Sequence, residues 1–411
     1  MPLRRQALAA AFVLALAARA AAQDVVGEFP VVQVPDGNPM TPEKIRLGQA
    51  LFYEEQVSSD DTMACGTCHR PEAGGSDPRP RGRNPGADGR LKTADDEFGV
   101  LGMFLQDTKG NKKPHPVFGL ERQVTARNPP TVIGAAFFNV QFWDTRALPL
   151  FKDLKGKIVL PEYASLESQA VGPMISSAEM SCEGRTWDEL TAKVAAARPL
   201  ALARNVPKAL GEFIGDAATY GPLFEKAFGS SAVTRERIAM AIASYERTLV
   251  ADHTPWDLGT MTPGQKHGYQ LFLEHRACDI CHTSDNKLFT DGARRTISLP
   301  DHVRPVKTPT LRNVGLRKRF MSGGQFDSLR AVVKHYEELE FIHFEDEQAR
   351  LDLLDFVGNA LTDPRLAKRE APFDRPTLRS ELEPAKTGAP DATPAPGDTR
   401  AKPMTDGGSG Q

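Results

Sequence analysis

The sequence predicts a mainly α-helical protein built as two tandem units with long loops. Three observations lead there. One five-residue motif occurs twice, as Cys65-Gly66-Thr67-Cys68-His69 and as Cys278-Asp279-Ile280-Cys281-His282. A similar helical segment precedes each copy. Aromatic residues make up only 7% of the chain, while Pro (32) and Gly (34) are plentiful. That composition suits helices and loops better than a large β-sandwich.

The chain starts with an export signal. Arg4 and Arg5 precede an apolar run over residues 7–18, and Ala20, Ala21 and Ala22 offer a small-residue cleavage site before Gln23. Residues 1–22 therefore read as a secretory signal peptide. The run is too short to cross the roughly 30 Å hydrocarbon core of a bilayer. No later stretch reads as a membrane span, so the mature chain is expected soluble and outside the cytoplasm. Its 411 residues, 40% hydrophobic and 25% charged, allow two modest domains. With 51 basic against 53 acidic side chains, there is no basic excess of the kind a dedicated nucleic-acid binder carries.

Thr41-Pro42 reads as a helix N-cap followed by the first helical residue. Gly48 and Phe52 then fall four apart on one face. Thr262-Pro263, Gly268 and Phe272 repeat the pattern. A small residue at that place lets another helix cross closely. The expected partner in the first unit is residues 234–250, where Ile238, Ile242, Tyr245 and Leu249 recur at helical spacing. In the second it is residues 345–361, with Leu351, Leu354, Val357 and Leu361 on one face. The units then span residues 43–250 and 251–372. Residues between His69 and Asn128, rich in Gly, Pro, Arg and Asp, read as an extended loop with short elements at best. Residues 373–411 read as a disordered tail.

Four of the five cysteines belong to the repeated motif. C-x-x-C-H is the attachment signature of c-type haem. Two thiols add to the vinyl groups on one edge of the porphyrin, and the next residue sets an imidazole beneath the iron. Zinc would need four converging ligands, and a redox dithiol a βαβ setting. Neither explains a His directly after both pairs. The reading is two covalently bound haem c groups, held by Cys65, Cys68 and His69 and by Cys278, Cys281 and His282, in two tandem cytochrome c-like haem domains. Cys182 is left without a role.

Eight blocks in order now carry a resemblance: LGQALFYEEQVSSDDTMACGTCH, ARNPPTV, FWDTRA, ESQAVGPMISSAEM, AIASYERTLV, TPWD, the second C-x-x-C-H, and KTPTLRNVGLRKRFMSGGQFDSL. Over residues 43–361 the chain resembles the bacterial di-haem cytochrome c peroxidases and their relative MauG. The resemblance implies a peroxide-reacting N-terminal haem and a C-terminal haem that feeds it electrons or stores an oxidising equivalent. It places Trp143 between them as a relay. It places Glu179 and Gln169, with Pro173, in the peroxide pocket. A carboxyl there can move a proton from one peroxide oxygen to the other. It also sets Asn128 near a calcium ion between the domains.

The sixth ligands decide the mechanism. Typical relatives cap the N-terminal haem with a His soon after the motif, but no His lies between His69 and His115. The first iron is thus expected to be open, or bound by water. Typical relatives give the C-terminal haem a Met. The matching position here is Tyr336, as in MauG, with Met321 and His335 as rivals. His335 sits about 100° around a helix from Tyr336, so both cannot face one haem. A phenolate favours oxidised iron, whereas Met raises the potential.

The leading expectation is a periplasmic di-haem peroxidase that reduces hydrogen peroxide with electrons from a small redox protein, a cytochrome c or a cupredoxin. The alternative is a MauG-like maturase that modifies a protein substrate through a high-valent di-haem state. The third is a di-haem electron carrier without peroxide chemistry. A homodimer is a further expectation.

Overall fold

The computed structural model describes residues 29–382, apart from 94, 275 and 300–302. The expected signal peptide and residues 383–411 lie outside the described residues. The chain is mostly helical. Its first half contains α1 (Pro42–Phe52), α2 (Cys65–Cys68), α3 (Ser165–Ala170), α4 (Trp187–Ala196), α5 (Lys208–Ile214), α6 (Gly221–Phe228) and α7 (Arg235–Glu246). The second half contains α8 (Pro263–Glu274), α9 (Arg276–Asp279), α10 (Leu329–Glu338) and α11 (Glu347–Asp355), which continues as a π-helical turn over Phe356–Ala360. Two short helices follow, α12 (Pro364–Lys368) and α13 (Arg379–Leu382). Among the described residues the strands form small antiparallel sheets: β1 (Arg81–Asn84), β2 (Glu97–Phe104) and β3 (Arg122–Val124); β4 (Phe151–Lys152) and β5 (Ile158–Leu160); β6 (Arg294–Ser298) and β7 (Val303–Lys307).

α1 forms for local reasons. The Thr41 hydroxyl caps its start by accepting the Lys44 N–H at 3.2 Å, and Pro42 presets the first turn. Leu47, Ala50 and Leu51 make a buried stripe. That stripe packs on α7, whose Ile238, Ile242 and Tyr245 are buried in the same cluster. Each such burial contributes about 1.5–3 kcal/mol. The helices all but touch: a Cβ at Gly48 would lie 1.9 Å from the Ala241 carbonyl oxygen. The second half repeats the device, since a Cβ at Gly268 would lie 2.0 Å from the Asp352 carbonyl oxygen.

Both helix pairs are thus those expected, and the buried face of α11 is so in part. Val357 and Leu361 pack in the core, but Leu351 is exposed, and Leu353, Phe356 and Ala360 turn to the core beside them. The π-turn is wider than an α-turn and alters the spacing from Phe356 onward. An ion pair between Arg247 and Glu167, both fully buried, joins the end of α7 to α3 at 2.9 Å. Breaking such a pair costs about 3–5 kcal/mol.

Two expectations need correction. The segment between His69 and Asn128 is not only loop. β2 runs for eight residues and pairs with β1 through Arg81↔Val100 to Asn84↔Glu97. Glycines at 99 and 102 masked its strand character, because they mark close backbone approach rather than a turn. Nor does disorder begin at residue 373. Phe373 and Leu378 are buried in the first half's core. The Arg375 guanidinium is buried between Glu72 and Glu381, and the Arg204 and Thr377 backbones exchange hydrogen bonds of 2.8 Å. Pro-rich composition hid these anchors.

Gly48→Ala is expected to destabilise the protein by roughly 1–3 kcal/mol through overpacking. Gly211→Ala, in α5 with nothing near its Cβ position, should instead stabilise it by about 0.5–1 kcal/mol. Denaturant unfolding midpoints of the two variants check the contrast.

Candidate active site

The first motif lines a cavity of about 560 Å³, within the range of roughly 300–1,000 Å³ typical of ligand pockets. Cys65, Cys68 and His69 share it with Trp143, Gln169 and Glu179. His69 Nδ1 lies 3.1 Å from the Gly75 carbonyl oxygen. A carbonyl only accepts, so the proton is on Nδ1 and Nε2 keeps its lone pair. His282 has the same arrangement, with Nδ1 3.1 Å from the Phe289 carbonyl oxygen. Burial pushes both imidazoles below their usual pKa, against the pull of these carbonyls. Each ring is therefore neutral and fit to bind a metal.

The thiols fit attachment rather than zinc. Burial pushes Cys68 and Cys278 up to about 12. Among the described residues, the triad of potential metal ligands that converges is Asp252, His253 and Asp363, and neither motif contributes to it. Among the described residues, the zinc reading of the two motifs finds no converging ligand set.

Glu179 is fixed by backbone contacts on several sides. Its N–H donates to the Ser176 carbonyl at 3.1 Å, after the 3₁₀ turn Pro173–Ile175. Gly102 of β2 allows a close approach: a Cβ there would lie 1.7 Å from the Ala178 carbonyl oxygen. The Met103 N–H donates to that same oxygen at 3.2 Å. Burial raises the Glu179 carboxyl above its ordinary pKa, and the Ser176 hydroxyl and Arg146 pull it back. Gln169 is in the last turn of α3, which the Arg247–Glu167 pair holds.

Gln169, Pro173 and Glu179 also line a neighbouring cavity of about 460 Å³ that reaches exposed Gly172 and Arg146. Asp144 bridges Arg146 at 3.0 Å and Arg127 at 2.9 Å. Burial acts to raise Asp144, but the two guanidiniums outweigh it and hold the carboxyl below its usual range.

Trp143 is buried where the two halves meet. Its indole N–H donates to the Asn128 carbonyl at 2.7 Å, and its own carbonyl accepts the Lys307 N–H of β7 at 2.8 Å. Phe142 and Thr145 hold φ of 70° and 62°, so the turn around the indole is strained and over-determined. The Asn128 side-chain amide lies 3.3 Å from the Arg319 carbonyl oxygen and 3.5 Å from that of Met321.

Burial raises the phenol pKa of Tyr336 on α10, and Cys278 and Cys281 lie close enough to add to the shift. His335 is engaged elsewhere, at 2.9 Å from the Ser298 carbonyl. Met321 offers its carbonyl to Asn128. His115 accepts the N–H groups of Val117 and Phe118 at 3.0 and 3.2 Å and does not line the cavity.

One cavity residue escaped the sequence reading. Glu246 closes α7, lines the cavity and is buried. Its Oε2 has no hydrogen-bond partner, and burial pushes the carboxyl up to about 8. The signal was there: a Glu directly after Tyr245, on a helix whose Ile238, Ile242 and Tyr245 mark the buried face. It passed as a helix end because α7 was read for apolar spacing alone.

A sequence model of the di-haem cytochrome c peroxidases matches residues 42–262. The chain belongs to that family. A methylamine utilisation protein MauG of Methylophilus methylotrophus is 27% identical over 74% of this chain and 76% of its own. A cytochrome c peroxidase of Escherichia coli is 28% identical over 62% of this chain and 40% of its own. A solved MauG-like protein associated with microbial copper homeostasis superposes with a TM-score of 0.56 at 21% identity, covering 85% of this chain and 97% of that one. This is a haem oxidoreductase of the peroxidase type, and the family implies haem c as its cofactor.

Replacing Cys278 and Cys281 together by Ser should halve the covalently bound haem. Pyridine haemochrome absorbance per chain measures it.

Proposed function

We propose that the protein is an exported, periplasmic peroxidase that converts hydrogen peroxide to two waters with two electrons from a small redox protein. The observation that carries this reading is the convergence of Glu179 and Gln169 on the cavity of the first C-x-x-C-H motif, with a second cavity reaching the surface beside them. A pure electron carrier has no use for a carboxyl held there. The two halves act as tandem cytochrome c-like domains, the first peroxidatic and the second electron-transferring.

Haem iron held by His69 supplies the point where peroxide binds and receives electrons. The chain does the rest. The Gly75 carbonyl keeps the His69 ring oriented. Gln169 hydrogen-bonds peroxide and orients it. Glu179 takes the proton from one peroxide oxygen and gives it to the other, which leaves as water. Trp143, clamped between Asn128 and Lys307, carries electrons from the second half. Asn128 serves calcium in this reading: with the amide turned over, its oxygen joins the Arg319 and Met321 carbonyls as hard ligands.

A second reading, a MauG-like maturase acting on a protein substrate, is supported by Tyr336 beside the second motif. A phenolate there makes the second centre a poor donor and a good store of oxidising equivalents. Steady-state oxidation of reduced cytochrome c or cupredoxin by peroxide separates the readings. Fast turnover supports the peroxidase, and negligible turnover with a long-lived oxidised state supports the maturase. A ferric protein whose Soret band does not respond to peroxide would overturn both.

Glu179→Gln should slow the reaction with peroxide by about 10²–10⁴-fold. In the native protein the rate should rise with pH, because Glu179 must be ionised to accept the proton. The midpoint should lie above that of an ordinary Glu, since burial raises it. Stopped-flow spectra across pH read both. Tyr336→Met should raise the potential of the second haem and change its electronic spectrum. An unchanged spectrum would remove Tyr336 as a ligand.

A further inference from the structure

Reduction of peroxide consumes two protons as well as two electrons. The Glu179 relay moves a proton between oxygens and supplies none. Two protons must therefore enter the cavity from elsewhere. Besides Glu179 the wall carries three carboxyls: Glu97, which is partnered, Asp144, which bridges Arg127 and Arg146, and Glu246.

Glu246 is only 2% exposed. Among the described residues no hydrogen bond reaches its Oε2, and the cation that acts on it is Arg247. Arg247 beside it gives both Nη groups to Glu167 of α3. Lys44 of α1 is bound to Asn38 and the Pro39 carbonyl. α2 presents Cys65, whose thiol feels Glu246 and Glu179 as neighbouring negative charges. Glu246 is also the last residue of α7, where the helix dipole is negative and disfavours a carboxylate. Burial is the largest influence on Glu246, and with the dipole and the Glu167 carboxyl it favours the protonated form against the opposing pull of Arg247. A neutral acid held in a cavity that changes charge must respond to that change. In a low-dielectric wall, one unit of charge alters proton binding on the order of tenfold or more.

We infer that Glu246 takes up a proton from solvent when an electron enters the first cavity, and surrenders it to the peroxide oxygen that stays behind after the first water has left. This rests on the proposed haem in that cavity, with the redox protein as reductant. Glu179 has by then moved peroxide's own proton to the departing oxygen, which leaves as the first water when the O–O bond breaks. The oxygen left behind needs two electrons and two protons to leave as the second water; Glu246 passes on one proton with each electron and is reprotonated from solvent in between.

The test is spectroelectrochemical titration of the purified two-haem protein between pH 6 and 10, followed at the Soret band of the first haem. In the native protein the reduction equilibrium should weaken as pH rises, approaching tenfold per pH unit over part of the range. Glu246→Gln, nearly isosteric, should be flat there. Glu179→Gln should keep most of the native slope. Glu246→Asp retains a carboxyl and should keep a slope at a shifted pH. Haem content per chain establishes that each variant is loaded. A native slope that survives in Glu246→Gln overturns the inference. Should that variant fail to load, an unshifted profile in Glu246→Asp overturns it equally. Neither result depends on reaction with peroxide. A protein inert to peroxide but with the Glu246 slope intact would sink the peroxidase reading alone.

Discussion

Two backbone-to-backbone helix crossings set the frame for everything else. Gly48 against Ala241, and Gly268 against Asp352, bring helices nearer than any side chain would permit. In the first half, that closeness fixes where α1 ends and therefore where Cys65 begins the attachment helix. It also sets the last turn of α7, and with it Glu246, on the cavity wall. A wider crossing would move the thiols, the imidazole and the carboxyl independently. The contact is geometric, so it transmits position without needing polar contacts of its own.

The cavity and its mouth handle charge in opposite ways. Inside, burial suppresses ionisation: it pushes the His69 imidazole down, and the Cys68 thiol and the Glu179 and Glu246 carboxyls up. At the mouth, Asp144 stays ionised between Arg127 and Arg146. A neutral oxidant such as peroxide crosses this boundary without losing a large hydration shell, whereas an anion would meet a dry and uncompensated interior.

Much of this was legible from local pattern. The caps at Thr41 and Thr262, the glycine–aromatic pairs and the C-x-x-C-H motifs are short-range signals, and the helices they foretell are present. Trp143, Gln169 and Glu179 came instead through the family likeness, because their meeting at one cavity depends on loops far apart in the chain. What failed did so for physical reasons. β2 contains glycines where other backbones press close, so its propensity reads as loop. A π-turn ends α11, and the inward face takes in Phe356 and Ala360 beside the expected Val357 and Leu361. Glu246 looked like an ordinary helix terminus, and only the three-dimensional packing removes its solvent. Phe373, Arg375 and Leu378 stand in a stretch of disorder-like composition, but three well-placed anchors outweigh an average.

The return of the last described residues to the first core has a consequence for how the chain is made. Phe373 and Leu378 complete a hydrophobic cluster that opens with Leu47, and Arg375 neutralises Glu72 beside the first motif. An emerging polypeptide cannot finish its leading half until nearly all of it has been synthesised. The first half's core is therefore closed last, by a segment that follows the second half in the chain.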